Sequence, residues 1–255
     1  MVKFAANLSM MFNEWEFMDR FKAAADAGFE AVEYLFPYAF TPDQIADCLV
    51  KNGLKQVLFN LPPGNWEAGE RGLAALAGRK EEFQNSVQTA LLYAQATKVP
   101  QLHVMSGHAD RHDLTALKRY EDSIEYACSE ANKHGVDILI EPINSRDMPG
   151  YFLNDFNFAS DLIAKLGFPN LKLQYDIYHR QIIHGDVMKS LETMLPIIAH
   201  IQIASVPLRH EPCTGELDDL RLFHHLDAIG YTGFVGCEYR PANGTVAGLS
   251  WFQGL

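Results

Sequence analysis

The sequence predicts a single (β/α)8 barrel, and three observations support this fold class. Short β-prone segments alternate along the chain with longer segments of helical periodicity, and eight such units fit into 255 residues. No Gly-rich dinucleotide-binding fingerprint follows the first β-prone segment, which makes a doubly wound open sheet the second choice. No segment has the composition of a linker, so we expect one domain over residues 1–255.

The predicted strands are short runs of aliphatic, aromatic and β-branched residues bounded by polar or Gly residues. Parallel strands that are buried on both faces should read as apolar runs, so a polar residue at the end of such a strand calls for an explanation. In chain order they are residues 3–8, 30–35, 55–60, 101–106, 136–141, 171–176, 200–204 and 233–238.

The predicted helices have apolar residues at helical spacing and recognisable ends. Thr41 and Pro42 form an N-cap followed by proline at the first helical position. Glycines that can end a helix in the left-handed conformation follow five of the segments, at Gly28, Gly53, Gly135, Gly167 and Gly230. The segments are 15–27, 41–52, 79–98, 114–134, 154–166, 186–196 and 216–229, with 249–255 as a short final helix.

Composition excludes several functions. The formal net charge is −11, which argues against binding to nucleic acid or to an anionic membrane surface. No apolar run is long enough to predict a transmembrane helix. The four cysteines are far apart and form no CxxC pair, and no secretory signal is recognisable, so we expect free thiols and a cytoplasmic location. A homo-oligomer is compatible with the sequence.

Polar residues end the last four predicted strands, where chemistry belongs in such a barrel. They are Glu141, Asp176, Gln202 and Glu238. Each alone is adequately explained as the first loop residue or a helix cap. Together they would converge, because adjacent strands are about 5 Å apart. Three carboxylates so close need a cation to stay ionised, and an all-oxygen ligand set suits Mg²⁺ or Mn²⁺.

Further polar residues follow these strand ends. Asn144 lies three residues after Glu141, His179 lies three residues after Asp176, and Arg209 lies in the loop after Gln202. A loop arginine is usually solvated, but on this side of the barrel Arg209 would supply positive charge for an anionic substrate.

Three residues in the first half of the chain are weaker candidates for substrate contacts. Asn7 and Asn60 end the first and third strands and could equally be turn residues. His103 lies in the fourth strand, where a histidine is more often a satisfied core residue.

Long motifs over nearly the whole chain resemble the hydroxypyruvate isomerase family of xylose-isomerase-like barrels. The resemblance implies a divalent metal at Glu141, Asp176, Gln202 and Glu238, with Glu141 and Glu238 also transferring the proton. It implies substrate contacts from His179 and Arg209. The motifs are FAANLSMMF, VEYLFPY, FNLPPGNWEAGERG, LIEPIN, YDIYH, HIQIA, RHEP and GFVGCEYRP.

The reaction implied is the interconversion of hydroxypyruvate and tartronate semialdehyde through an enediolate, with a small anionic hydroxy-keto acid as the substrate. Isomerisation of 2-oxo-tetronates or 3-epimerisation of ketoses is the alternative within the superfamily. An endonuclease-IV-like phosphodiesterase shares the barrel, but the net charge of −11 argues against it. A barrel that binds a ligand without catalysis is the remaining alternative, and it would show no metal-dependent turnover of hydroxypyruvate.

Overall fold

A computed structural model describes residues 1–253 as a closed barrel of eight parallel strands in chain order. Each strand pairs with the next, and the last pairs with the first in parallel register. The (β/α)8 prediction is therefore confirmed over the open-sheet alternative. The predicted domain range of 1–255 includes Gly254 and Leu255, which lie outside the described residues.

The strands occupy the predicted positions, with some ends moved by a few residues. Glu141 and Glu238 are the first residues after their strands, and Pro142 cannot donate the hydrogen bond that would extend the first of these. The strands are β1 Lys3–Asn7, β2 Ala31–Tyr34, β3 Lys55–Asn60, β4 Gln101–His103, β5 Asp137–Ile140, β6 Leu171–Asp176, β7 Ile198–Ile203 and β8 Phe234–Cys237.

The predicted helices are all present, and the structure adds one. Residues 177–183 form a helix directly after β6 that the sequence analysis did not predict, because Asp176 ends the strand and also caps the helix. The helices are α1 Phe17–Asp26, α2 Pro42–Asn52, α3 Lys80–Thr97, α4 Leu114–Asn132, α5 Phe156–Leu166, α6 Ile177–Ile183, α7 Val187–Met194, α8 Asp219–Ala228 and α9 Ser250–Gln253.

Local sequence explains where α2 begins and ends. The Thr41 side chain accepts a hydrogen bond from the Gln44 backbone, and the Gln44 side chain accepts one from the Thr41 backbone, which completes a capping box. Gly53 ends the helix at φ +66°, a conformation that a residue with a Cβ adopts only at a cost.

Alternation along the strands separates two apolar regions. One side of each strand packs against the helices in a large core, to which Phe4 and Ile138 belong. The other side faces the barrel interior, where a small cluster is formed by Ala5, Ala31, Val57, Leu58 and Leu139. This cluster fills the lower interior and leaves the carboxyl end of the barrel to polar side chains. No helix among residues 1–253 is both long and apolar enough to cross a membrane.

Candidate active site

All eight strands contribute a buried polar side chain at or next to their carboxyl ends. In four of the strands, this polar residue comes two positions after a residue of the small interior cluster. Because side chains alternate between the two faces of a strand, the polar side chain points into the barrel like the cluster residue. The sequence analysis treated the polar residues of the first, third and fourth strands only as weaker candidates for substrate contacts. It missed the polar residue of the second strand. The set is Asn7, Glu33, Asn60, His103, Glu141, Asp176, Gln202 and Glu238.

A cavity of about 530 Å³ opens at this end of the barrel, within the size range of small-molecule sites. Its wall includes four of the predicted residues, namely Asn60, His103, Glu141 and Glu238. The predicted His179 and Arg209 also line it. The structure therefore brings most of the predicted site together around one space.

Arg209 lies among the carboxylates at the cavity wall. Its Nη2 donates to Glu238 Oε2 at 2.8 Å and lies 3.5 Å from Asp176 Oδ2. Its guanidinium also stacks over the Tyr178 ring, 4.9 Å from the centroid. The backbone of Arg209 is left-handed, with φ +58°, a costly conformation that is often found at functional positions. Arg209 therefore partly compensates the negative charge of this wall.

Burial dominates the electrostatics of the three acids. It raises the pKa of Glu238 to about 8 and that of Asp176 to about 6, while Arg209 opposes both shifts. Burial raises the pKa of Glu141 well above its usual value, and the charges of Glu238 and Asp176 raise it further. One arginine is therefore insufficient to keep all three carboxylates ionised at neutral pH, and the site favours a further cation.

His179 presents an N–H group to the carboxylates. Its Nδ1 lies 3.3 Å from the Asn144 backbone N–H and 2.7 Å from Asn144 Nδ2, both of which are donors. Nδ1 must therefore accept, and burial lowers the pKa of His179, so the proton of the neutral ring is on Nε2. Nε2 lies 3.4 Å from Asp176 Oδ2 and 3.9 Å from Glu141 Oε1. His179 is thus a donor toward the site.

Asn144 contributes to the site through His179. Its amide oxygen accepts from the Asp147 backbone, which fixes the amide nitrogen toward His179 and the Asp147 carboxylate. The side chain is fully buried, and the sequence-based role in substrate binding becomes one of orienting the imidazole.

His103 and Asn60 face the cavity from the first half of the barrel. Burial lowers the pKa of His103 to about 3, so its ring is neutral. Its Nε2 is buried, lies 3.6 Å from Glu141 Oε2 and has no hydrogen-bond partner among the described residues. Asn60 is buried at the end of β3, in the position predicted for a substrate contact.

Gln202 and Asn7 lie behind the cavity wall. Both amides donate to Glu33 Oε1, from Gln202 Nε2 at 2.8 Å and from Asn7 Nδ2 at 2.9 Å. Gln202 Oε1 accepts from Gln174 Nε2 at 2.7 Å, and the Gln174 side chain lines the cavity. The amide oxygen of Gln202 is therefore on the cavity side, whereas Asn7 supports Glu33.

Two residues of the loop after β3 cover part of the cavity. The Arg71 guanidinium stacks 3.7 Å above the centroid of the Trp66 ring, which also contacts Phe36. Both Trp66 and Arg71 line the cavity, and Arg240 adds a second positive charge at its rim. Aromatic and cationic side chains thus form the entrance to a site whose base is acidic.

The residues at the base fit a hard divalent cation. Glu141 Oε1 is buried without a hydrogen-bond partner among residues 1–253, which is costly unless a cation or ligand satisfies it. Ligand atoms of Glu141, Asp176 and His179 lie within 4.8 Å of one another. Because His179 Nε2 carries a proton, the atoms of this group that fit are the oxygens of Glu141 and Asp176. Glu238 is linked to Asp176 through Arg209, which contacts both carboxylates.

The sequence analysis missed Glu33, His200 and Gln174 in the barrel interior. Each is a polar residue inside a strand that is otherwise apolar, and each is almost completely buried. The available signal was side-chain alternation, since Gln174 precedes Asp176 by two residues and His200 precedes Gln202 by two residues. Glu33 lies inside the predicted strand 30–35 and not at its end, so the criterion that identified Glu141 did not find it.

Comparisons with known proteins identify the family to which the chain belongs. A family model described as xylose isomerase-like TIM barrel matches residues 21–255. The chain is 50% identical to 2-oxo-tetronate isomerase from Cupriavidus necator, over 99% of this chain and 98% of the relative. It is 41% identical to hydroxypyruvate isomerase from Escherichia coli, over 99% of both chains. A solved structure described as AP endonuclease, family 2, from Brucella melitensis is 48% identical, with a TM-score of 0.97 over 100% of this chain and 99% of that one.

Proposed function

Because the chain belongs to the xylose isomerase-like TIM barrel family and closely related curated members are isomerases, we propose that it isomerises a short 2-oxo acid with a hydroxyl on the next carbon. The reaction we propose first is the interconversion of hydroxypyruvate and tartronate semialdehyde. The observation that carries the proposal is the convergence of Glu141, Glu238 and Arg209 at one cavity wall, with the fully buried Asp176 in contact with Arg209.

Arg209 is the cation placed to bind the substrate carboxylate. Its guanidinium is 13% exposed and lies beside the acids, so an acid of three or four carbons could contact both. Arg71 and Arg240 lie at the cavity entrance and would draw an anion into a protein that is acidic overall. A neutral ketose would gain nothing from these charges.

We propose that Glu141, Asp176, Gln202 and Glu238 hold Mg²⁺ or Mn²⁺. When bound, the ion would stabilise the negative charge that develops on the two adjacent substrate oxygens. The support for this assignment is the unpartnered Glu141 Oε1 and the raised pKa values of three neighbouring carboxyl groups. A divalent cation would lower these pKa values and would supply the partner that Glu141 Oε1 lacks.

Proton transfer is assigned to Glu141 and Glu238, which follow β5 and β8 and therefore reach the cavity from different sides. One carboxylate removes the proton from the hydroxyl-bearing carbon, and the electrons of that C–H bond form the double bond of an enediolate. The proton then returns to the former carbonyl carbon. The hydroxyl proton passes to the former carbonyl oxygen, and the oxygen that loses it becomes the new carbonyl. Burial raises the pKa of Glu238 to about 8 in the metal-free site. A bound cation would lower this pKa and leave the carboxylate ionised, as a proton acceptor requires.

The remaining cavity residues bind and orient the substrate. His179 Nε2–H and the neutral His103 ring are placed to hydrogen-bond the oxygens whose charge changes during the reaction. Burial lowers the pKa of both rings, so neither competes with the carboxylates for the transferred proton. The Trp66 and Arg71 side chains would limit access of water to the enediolate.

A 2-oxo-tetronate is the second candidate substrate, and a specific observation favours it. The 50% identity to the Cupriavidus necator enzyme exceeds the 41% identity to the Escherichia coli hydroxypyruvate isomerase. Both substrates present the same carboxylate, carbonyl and hydroxyl groups to the site. The fourth carbon would extend toward the entrance, where the cavity has room.

A substrate panel tests the proposal. The chelator-treated protein would be assayed with hydroxypyruvate, 2-oxo-tetronate and a neutral ketose, each with and without Mn²⁺, and against a duplex containing an abasic site. We expect metal-dependent isomerisation of one or both acids. Cleavage of the duplex without turnover of either acid would instead support the phosphodiesterase alternative, for which the similarity to the Brucella melitensis protein is the reason to test.

A further inference from the structure

Glu33 forms the centre of a buried polar network beneath the carboxylates. It lies in β2 with 1% of its surface exposed, and its side chain reaches across the barrel to β7. Oε2 accepts from His200 Nε2 at 2.5 Å, while Oε1 accepts from Gln202 and Asn7. β2 and β7 are not neighbours in the barrel, so this network crosses the interior.

Gly236 in β8 provides the space that Glu33 occupies. A Cβ built at position 236 would lie 2.5 Å from Glu33 Cδ and would overlap Oε2. The backbone φ of Gly236 is not in the left-handed region, so the close approach of the carboxylate explains the absence of a side chain. The Glu33 carboxylate therefore fits in its observed position only because residue 236 has no side chain.

The network determines which end of the Gln202 amide faces the cavity. With Nε2 bound to Glu33, Oε1 lies on the opposite side, where Gln174 donates to it. The reversed amide would place its oxygen against a carboxylate oxygen and leave both acceptors without a proton. Gln202 pairs in register with Asp176 on the neighbouring strand, so the two residues lie side by side in the barrel wall.

We propose that Glu33 is a positioning residue for the metal site, which fixes the Gln202 amide with Oε1 toward Glu141, Asp176 and Glu238. Gly236 makes this possible by admitting the Glu33 carboxylate. The inference rests on the proposed function, because it assumes that these oxygens bind a divalent ion. It assigns Glu33 no contact with the substrate.

Glu33→Met and Glu33→Gln separate the orienting role from charge. Methionine has a similar shape but no acceptor, so Gln202 would lose its fixed orientation. Glutamine can accept from Gln202 through its oxygen. Its nitrogen can donate to His200 Nε2 once the neutral imidazole carries its proton on Nδ1. Titration of the chelator-treated full chain with Mn²⁺ by calorimetry should show about 10–100-fold weaker binding for E33M and recovery of most of the affinity for E33Q.

Glu121→Met is the matched control for buried glutamate loss. Glu121 is 6% exposed, pairs with Lys165 at 2.6 Å and lies in α4 outside the barrel interior. E121M should bind Mn²⁺ like the wild type even if it unfolds at a lower temperature. If Glu33 had only a structural role, E33M would unfold at a lower temperature, like E121M, but would bind Mn²⁺ with the affinity of the wild type.

A double-variant comparison tests whether Glu33 acts through Gln202. In a Gln202→Ala background, E33M should cause little further loss of Mn²⁺ affinity, because the amide that Glu33 orients is absent. If E33M does not fold, Gly236→Ala tests the same claim, since its Cβ would displace the Glu33 carboxylate while every polar group remains.

The outcomes are distinct. Unchanged Mn²⁺ affinity in folded E33M, or in folded G236A when E33M does not fold, overturns the positioning role. Equal losses in E33M and E33Q also overturn it, since charge would then explain the effect. If the wild-type protein binds no Mn²⁺, both the proposed metal site and the inference are contradicted. If the wild type binds Mn²⁺ and the variants bind it with the same affinity, only the inference is contradicted.

Discussion

The Arg209 guanidinium and the Glu238 carboxylate form a buried ion pair at the wall of the cavity, with Nη2 2.8 Å from Oε2. The partners come from the loop after β7 and from the first residue after β8, and the Arg209 carbonyl also accepts from the Arg240 backbone. Glu238 therefore has a fixed orientation, in contrast to Glu141, whose Oε1 has no partner among the described residues.

Replacing Glu238 with glutamine should remove catalysis and leave the fold intact. Glutamine keeps the shape of the side chain but cannot take up the proton, and loss of a general base typically lowers kcat by about 10²–10⁴-fold. The measurement is kcat on hydroxypyruvate or 2-oxo-tetronate, with circular dichroism as the test of folding. Glu121→Gln is the matched control, since Glu121 is a buried glutamate of α4 that pairs with the exposed Lys165. Activity of E238Q close to that of the wild type would remove Glu238 from the mechanism.

Replacing Arg209 with methionine should reduce activity on acids more than on neutral substrates. The loss of a charge-assisted hydrogen bond of about 1.5–3 kcal/mol should lower kcat/KM for hydroxypyruvate by at least about tenfold. Dihydroxyacetone, which has a hydroxymethyl group in place of the carboxylate, provides the neutral comparison. Because Arg209 also orients Glu238, some loss on both substrates is expected. Equal losses would show that Arg209 does not recognise the carboxylate.

Two substitutions at His179 test the assignment of its proton. Glutamine places an N–H group near the position of Nε2, whereas asparagine places its polar atoms near Nδ1 and leaves nothing toward Asp176. H179Q should therefore retain a larger part of the wild-type kcat/KM than H179N, by about tenfold for one hydrogen bond to a charged group. Higher activity in H179N would place the functional nitrogen at Nδ1 instead.

The metal-free protein should become less stable as the pH rises from about 6.5 to about 8. The pKa of Glu238 is raised by burial to about 8 from 4.5, so in this range the folded protein retains a proton that the unfolded chain has lost. Stability that depends on this bound proton is lost as the pH rises. Below 6.5 the lowered pKa values of His103 and His179 act in the opposite direction, which defines the lower end of the range.

Differential scanning calorimetry of chelator-treated protein measures this effect. The melting temperature of the wild type should fall across the range, and that of E238Q should fall less. Saturating Mn²⁺ should stabilise the wild type more at pH 8 than at pH 6.5, because the ion binds ionised carboxylates. A wild-type melting temperature that rises with pH over this range would contradict the assignment.

The sequence predicted the barrel well because parallel strands and amphipathic helices leave strong patterns. It did not predict α6, since Asp176 both ends β6 and accepts a hydrogen bond from the Tyr178 backbone, with no loop between the elements. The predicted ends of β5 and β8 were one residue too late, because Glu141 and Glu238 lie just beyond the last residue of each strand.

The site was predicted from strand ends and was therefore incomplete. Glu141, Glu238, His179 and Arg209 all reach the cavity, as alternation and chain order suggested. The contact between Glu33 and His200 joins residues 167 positions apart across the barrel, and no local pattern specifies such a pair. The same holds for the left-handed Arg209, whose position depends on the path of a loop.

The most direct test of the central claim is the rate of isomerisation of hydroxypyruvate and of 2-oxo-tetronate by chelator-treated protein, before and after addition of Mn²⁺ or Mg²⁺. We predict that turnover of at least one acid is absent after chelation and returns with the metal, and that E238Q stays inactive under both conditions. Turnover of either acid that is equally fast with and without the metal would contradict the metal site built on Glu141, Asp176, Gln202 and Glu238.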